Sequence, residues 1–198
     1  MTVQLQANKA FDAQDIERLV QDHQVHRDVY TSQDVYALEM QHLFANVWVF
    51  VGHESQTPKH GDYFTTQIGS QPVIQVRHSD SKIKVLHNRC PHKGTKIAID
   101  RHGNTGTFFR CPYHAWSFET DGRLKAVPLE SGYSNTSFET TENANGIKPV
   151  GAVHNHRGFV FARLADSGIS FDDFFGDSLS SIDNICLLYT SPSPRDFT

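Results

Sequence analysis

Hydrophobic residues near the N-terminus recur at three- and four-residue steps, which is the spacing of one face of an α-helix. The clearest stretch covers residues 35–47, and its apolar positions are Val35, Tyr36, Leu38, Met40, Leu43, Phe44 and Val47. Thr31 stands three residues before Asp34, a spacing typical of a capping box at a helix start. We therefore predict an amphipathic helix of about three turns, preceded by a weaker helix over residues 11–25.

From residue 47 the pattern changes to short hydrophobic runs separated by Gly, Ser, Asn and Asp, which favour turns. The predicted strands cover residues 47–51, 63–68, 73–77, 83–86, 97–99, 107–110, 117–119, 124–127, 150–153 and 159–164. Short strands at close spacing predict a mainly β fold, a small antiparallel sandwich or barrel preceded by N-terminal helices. A last helix is predicted to begin at Ser170, three residues before Asp173, and to run to about residue 185.

Composition and charge narrow the function classes. The 198-residue chain has a formal net charge of −4 and a pI of about 6.3, which argues against a nucleic-acid partner, because nucleic-acid-binding proteins present a basic face. The three cysteines leave no disulfide framework once two of them serve as ligands, which indicates a reducing, cytoplasmic setting. The sequence has no signal-peptide pattern and no apolar stretch long enough to span a membrane.

The candidate chemistry is concentrated in two short stretches. Cys90-x-His92 is followed by eighteen residues and then by Cys111-x-x-His114, so each stretch offers one thiolate and one imidazole. Two Cys and two His suit either a tetrahedral zinc ion or a two-iron cluster with mixed ligands. Structural zinc sites usually pair Cys with Cys and His with His along the chain. The mixed pairs here favour a [2Fe–2S] cluster in which the two Cys hold one iron and the two His hold the other.

The same stretches resemble a known family. Residues 88–94 (Asn-Arg-Cys-Pro-His-Lys-Gly) and 109–128 are similar to the Rieske domain of ring-hydroxylating oxygenase large (α) subunits, and the resemblance covers residues 30–185. Two positions depart from the family: Lys93, where Arg is usual, and Ala115, where Gly is usual. The resemblance implies the Rieske fold and a [2Fe–2S] cluster, with the ligands Cys90, His92, Cys111 and His114.

The resemblance also implies a function. Such subunits take electrons from a reductase or a ferredoxin and pass them to a mononuclear iron that activates dioxygen. They form homo-oligomers or associate with a small β subunit. The alternatives are a stand-alone Rieske ferredoxin that only carries electrons, and a zinc-binding interaction module. The N-terminal helix and the lead-in of residues 48–52 favour the oxygenase, because ferredoxins of this type usually start near the first strand.

We do not expect the mononuclear iron within this chain. In the family that iron is held by two His and one carboxylate. The one His pair at the family's spacing is His87 and His92, where His92 is already assigned to the cluster and Lys84 stands in the place of the upstream acid. We therefore expect Fe(II) only in a full-length protein, and we expect this chain alone to hydroxylate nothing.

The sequence also suggests domain boundaries. We predict a helical lead-in over residues 1–46, a Rieske domain over 47–165, the start of a truncated catalytic domain over 166–185, and a tail over 186–198. The tail resembles a translated sequencing adapter, so we expect native sequence to end near residue 185.

Two further pairs of histidines attract attention as possible metal ligands. His154 and His156 point to one face of a predicted strand, and we expect this face to be solvated and not metal-binding. His23 and His26 lie on the weaker helix and are expected at the surface.

Overall fold

The structure is a computed structural model that describes residues 13–138 and 145–190, except for the side chains of residues 13 and 188–190. Within these ranges the chain is mainly β, as the hydrophobic pattern predicts. The strands in chain order are β1 (Val20–Gln21), β2 (Gln24–Val25), β3 (Val49–His53), β4 (Asp62–Ile68), β5 (Gln71–Arg77), β6 (Ile83–His87), β7 (His102–Asn104), β8 (Phe108–Arg110), β9 (Ser117–Glu119), β10 (Leu124–Ala126), β11 (Ala152–His156) and β12 (Phe159–Arg163).

The α-helices lie at the two ends of the described chain. They are α1 (Ala13–Leu19), α2 (Asp28–Thr31), α3 (Gln33–Leu38), α4 (Phe171–Phe175) and α5 (Leu179–Thr190). A π-helical turn at Glu39–Leu43 continues α3, and 3₁₀ turns occupy Glu54–Gln56, Glu130–Tyr133 and Gly176–Ser178. Within the described ranges no helix is both long enough and apolar enough to cross a membrane.

The strands form antiparallel sheets stacked around a central one. The central sheet has the order β6-β5-β4-β7, a second sheet has the order β11-β12-β3, a third has the order β10-β9-β8, and β1 pairs with β2. Strand β5 is buried on both faces. Val73 packs in the core shared with β11, β12 and β3, whereas its neighbour Ile74 packs in the core that contains Cys90 and Cys111. The alternation of side chains along a strand thus makes β5 the wall between two cores.

Most predicted strands are confirmed within a residue or two, but the strand predicted at residues 97–99 is wrong. Residues 97–99 form no strand, because the amides of Ile97 and Ala98 both donate to the Asn88 side-chain oxygen. His102–Asn104, where no strand was predicted, is β7 and pairs with β4.

The predicted helix starts are partly corrected. The main N-terminal helix begins after Ser32, whose hydroxyl accepts from the Val35 amide at 3.4 Å, whereas the Thr31 hydroxyl donates back to Arg27 in the preceding turn. The weaker helix ends at Leu19 and gives way to the β1–β2 hairpin, and its predicted start at residue 11 lies outside the described residues. His23 and His26 are exposed, as predicted.

The C-terminal helix begins at the predicted place but is interrupted. The Ser170 hydroxyl accepts from the Asp173 amide at 3.1 Å, which confirms the start. The helix stops at Phe175, because Gly176 adopts a positive φ, and α5 then continues beyond the predicted end to Thr190. Residues 191–198 of the predicted tail lie outside the described residues.

The helices α4 and α5 cover the outer face of the β11-β12-β3 sheet. Trp48, Phe161 and Phe171 form the core between them. The prediction that His154 and His156 lie on a solvated face is therefore wrong. The His154 ring stacks on Phe171 with centroids 3.8 Å apart, and His156 Nε2 lies 2.8 Å from the Asp183 carboxylate on α5.

Candidate metal centre

Two loops at one end of the central sheet bring the candidate ligands together. Residues 90–95, here the first loop, follow β6, and residues 111–116, the second loop, connect β8 to β9. Cys90 and Cys111 are only 2% and 3% exposed, and both are unoxidised cysteines in one hydrophobic core. The core thus holds two soft ligands side by side, away from water.

The two loops repeat the same backbone hydrogen bonds. In the first loop the Cys90 amide donates to Thr95 O and the Gly94 amide donates back to Cys90 O, both at 2.8 Å. In the second, the Cys111 amide donates to Trp116 O at 2.8 Å and the Ala115 amide donates to Cys111 O at 3.0 Å. Each loop is therefore a closed turn that starts at a cysteine.

In both loops the fifth residue of the turn, counted from the cysteine, is left-handed. Gly94 adopts φ +76°, and Ala115 adopts φ +58°. Gly takes this conformation at no steric cost, whereas an L-residue with a Cβ is strained by roughly 1–2 kcal/mol. The departure from the family at Ala115 thus leaves the backbone course intact and stores strain in the second loop.

The imidazoles of the two loops face each other. The ring centroids of His92 and His114 are 4.7 Å apart. His92 Nδ1 is buried and has no hydrogen-bond partner. A buried polar nitrogen without a partner costs free energy, so it needs a ligand that the protein itself does not supply. This atom is the clearest sign of a bound group.

Aromatic rings fix the planes of both imidazoles. The buried indole of Trp116 stacks on His92 at 4.7 Å with only 3° between the planes, although Trp116 belongs to the second loop. Phe138 also packs against Trp116, with ring centroids 5.3 Å apart. The ring centroids of Tyr113 and His114 are 3.7 Å apart, but Tyr113 is 64% exposed. The half-buried His92 ring therefore packs against a buried aromatic side chain, whereas the exposed His114 ring packs against an exposed one.

Asn88 is a supporting residue that spacing alone did not single out. It is 3% exposed, its amide donates to Ala98 O at 2.7 Å, and its oxygen accepts from the Ile97 and Ala98 amides. These bonds tie the strand that enters the first loop to the segment that leaves it. The available signal was a polar residue directly after the last residue of β6, His87.

The surroundings of Cys90 and His92 favour the neutral forms of both side chains. Burial raises the pKa of the Cys90 thiol, a backbone N–H of His92 opposes this, and the adjacent Cys111 raises it further. Burial also lowers the pKa of His92, and the neighbouring His114 and Lys93 lower it more. A neutral imidazole offers a lone pair to a metal, and a bound metal deprotonates a coordinating thiol outright.

The donor set fits a two-metal group better than a single ion. Among the described residues, no three His, Cys, Asp or Glu side chains converge on one point where a metal ion would sit. The two thiols lie together in the core and the two imidazoles face each other beside the Trp116 ring. This division into pairs suits a [2Fe–2S] cluster with Cys ligands on one iron and His ligands on the other.

Comparison with known proteins agrees with this geometry. Residues 47–140 match the Rieske [2Fe-2S] domain family. The chain is 32% identical over 186 residues to the benzene 1,2-dioxygenase subunit alpha of Pseudomonas putida, covering 93% of this chain and 40% of the relative. It is 36% identical to the glycine betaine monooxygenase oxygenase subunit of Chromohalobacter salexigens, covering 88% of this chain and 36% of the relative.

A solved structure gives the same result. The naphthalene 1,2-dioxygenase from Rhodococcus sp. superposes with a TM-score of 0.76 at 28% identity, over 87% of this chain and 38% of that one. The chain thus spans about two fifths of the length of the benzene 1,2-dioxygenase α subunit. From the two loops, the fold and these relatives together, we conclude that the chain carries a Rieske [2Fe–2S] domain and is homologous, over most of its own length, to part of the α subunits of Rieske ring-hydroxylating oxygenases.

Proposed function

We propose that Cys90, Cys111, His92 and His114 hold a Rieske-type [2Fe–2S] cluster. The observation that carries this proposal is the buried, partnerless Nδ1 of His92 beside two buried thiols. Such a cluster, when bound, accepts and releases one electron at a potential that its imidazole ligands raise above that of an all-cysteine cluster.

The protein's own residues have distinct tasks in this arrangement. Cys90 and Cys111 anchor the group in the core and exclude water from that side. His92 offers its buried nitrogen while Trp116 fixes the plane of its ring. His114 is exposed and brings one edge of the site to the surface.

We further propose that the chain is the electron-transfer portion of an aromatic-ring-hydroxylating oxygenase. It would accept electrons from a reductase or ferredoxin and pass them to a mononuclear Fe(II) site that belongs to the full-length protein, either as a homo-oligomer or with a small β subunit. The relatives support the oxygenase and give the stand-alone ferredoxin alternative no support. Their names include both an aromatic and a quaternary ammonium substrate, so we place substrate choice outside the Rieske domain.

Reconstitution of the chain with iron and sulfide tests the cluster. We expect a red-brown protein with two irons and two sulfides per chain, visible absorption, and a rhombic electron paramagnetic resonance signal after reduction. A colourless, folded chain that binds one zinc ion would overturn the proposal in favour of the zinc-binding module.

A turnover assay tests the division of labour. We expect the loaded chain to be reduced by an NADH-driven reductase and to form no hydroxylated product, even with dioxygen and added ferrous iron. Product above the level of a sample without the chain would show that a mononuclear iron site lies within these residues.

A further inference from the structure

A groove opens beside His92 on the side of the first loop. It has a volume of about 660 Å³, and its polar walls come from Gln71, His87, Arg89, His92, Lys93 and Lys148. We call it the His92 groove. It is continuous with the candidate metal centre, because Cys90 and Gly94 line it as well.

The groove carries positive charge in a chain that is negative as a whole. Arg89, Lys93 and Lys148 are exposed along it, and none of the described residues that line it is Asp or Glu. The formal net charge of the chain is −4, so this is a local concentration of cations. Such a patch attracts acidic partners and speeds their association.

Neighbouring contacts leave these cations accessible. The nearest acid to Lys148 is Asp166 at 3.9 Å, and the two side chains are 68% and 79% exposed. An ion pair so exposed is weak and is screened by salt. The Arg89 side chain lies across the first loop, where a Cβ added to Gly94 would come 3.3 Å from Arg89 Nε. Arg89 is therefore packed on the loop that carries His92.

The groove also holds a neutral histidine. Burial lowers the pKa of His87 and the Lys148 ammonium lowers it further, while the Asp166 carboxylate acts in the opposite direction. A lining of accessible cations in an open groove differs from a small-molecule site, which is enclosed and mostly apolar. The His92 groove is therefore better suited to binding the charged surface of another protein than to binding a small ligand.

We propose that the His92 groove docks the acidic face of a small electron-donor protein, so that donors approach the cluster from the side of the first loop. This proposal rests on the proposed function, since it names the partner of the same site. In the complex the donor loses one electron and this chain gains it at the cluster, with no bond formed or broken.

Lys148 is the best position for a test, because it lies far in sequence from both cluster loops. The variants are Lys148→Gln and Lys148→Glu. Lys59→Gln is the matched control, since it removes the same charge from an exposed lysine. Lys59 lies away from the groove. It is close in sequence to Gly61, whose amide donates to Arg77 O at the end of β5, whereas the groove is lined by Gln71 at the start of that strand.

The experiment first measures cluster absorbance and then the Kd between the loaded chain and an oxidised plant-type [2Fe–2S] ferredoxin, a small acidic protein, by calorimetry at low and high ionic strength. We expect Lys148→Gln to weaken binding roughly two- to fivefold at low salt, Lys148→Glu to weaken it more, and Lys59→Gln to match the unmodified chain. Added salt should weaken binding of the unmodified chain most, because screening removes an attraction that the variants already lack.

Other results overturn the proposal. Equal Kd values for Lys148→Gln and Lys59→Gln in loaded protein would remove the groove from donor binding and leave the cluster assignment standing. A changed sedimentation coefficient of the Lys148 variants alone, with ferredoxin affinity unaltered, would assign the groove to a second copy of this chain. A chain that takes up no cluster would overturn the proposed function and this inference together.

Discussion

The first and second loops follow the same backbone course but surround their histidines differently. Both begin at a buried cysteine, close on themselves through matching hydrogen bonds, and use a left-handed residue at the same point of the turn. His92 nevertheless packs against buried Trp116, whereas His114 packs against exposed Tyr113. The shared backbone course places one cysteine and one histidine in each loop. The neighbouring side chains then make the surroundings of the two histidines different.

Loss of a cysteine should have the largest effect and should be equal for the two loops. Cys90→Ser and Cys111→Ser each remove one of the two buried thiols, and the remaining ligands cannot retain the cluster. We expect cluster absorbance at background in both variants and a Tm no higher than that of the metal-free chain, because metal binding contributes directly to folding stability.

Cys186→Ser is the matched control for this experiment. Cys186 lies on α5, outside both loops, so its variant should load a full cluster. If either Cys90→Ser or Cys111→Ser loads as much iron as Cys186→Ser, the two loops do not share one cluster.

Removal of the aromatic neighbours should separate the loops. Trp116→Leu deletes a buried stacking partner of His92, and we expect a loss of roughly 2–4 kcal/mol in the free energy of unfolding of the metal-free chain. Tyr113→Leu removes a ring that is 64% exposed, so we expect a loss below about 1 kcal/mol. Chemical denaturation measures both, and equal losses would contradict the difference between a buried aromatic neighbour in one loop and an exposed one in the other.

Much of this arrangement was predictable from local patterns. The spacing of Cys90, His92, Cys111 and His114 identifies the residues that the fold brings together, because each short loop carries its ligands within a few residues. The strands were predictable for the same reason, since alternation and turn residues act over short distances.

The parts that were missed depend on contacts between distant segments. The Trp116 ring crosses from the second loop to the histidine of the first, and no local pattern encodes that. The strand pattern predicts a solvated face for His154 and His156, because the helices that cover them begin more than ten residues later in the chain. Asn88 has no periodic signature, since its role is to satisfy two amides of a segment that forms no strand.

Acidic pH should sharpen the difference between the histidines in the metal-free chain. The pKa of His92 is lowered by burial and then by His114 and Lys93, so the folded chain resists its protonation. The unfolded chain takes up that proton near pH 6.5. The contribution of neutral His92 to the free energy of unfolding is therefore complete above about pH 6.5 and is lost as the pH falls toward the folded-state pKa.

We expect a plot of unfolding free energy against pH to be flatter for His92→Asn than for the unmodified chain as the pH falls below about 6.5. Burial lowers the pKa of His87 and His154 in the same direction, so the variant should keep part of the slope. An unchanged slope in His92→Asn, together with an NMR titration of His92 at its ordinary pKa, would contradict the lowered pKa of this ring.

The smallest expected effect concerns the left-handed residue, where the loops differ by one methyl group. Ala115→Gly should relieve the strain of a Cβ at φ +58°, a gain of roughly 1–2 kcal/mol that the greater freedom of Gly in the unfolded chain reduces by about 0.4–1 kcal/mol. We therefore expect the variant to be more stable by about 0.5–1 kcal/mol.

The opposite change, Gly94→Ala, should destabilise the chain by roughly 1–2 kcal/mol, because it introduces the same strain at φ +76°. It also brings the new methyl group close to Arg89, and the flexible Arg89 side chain must shift to make room. Urea unfolding of the metal-free variants measures both signs. If Ala115→Gly destabilises the chain, the methyl group of Ala115 makes a favourable contact that outweighs its backbone strain, and the two loops are less alike than their hydrogen bonds indicate.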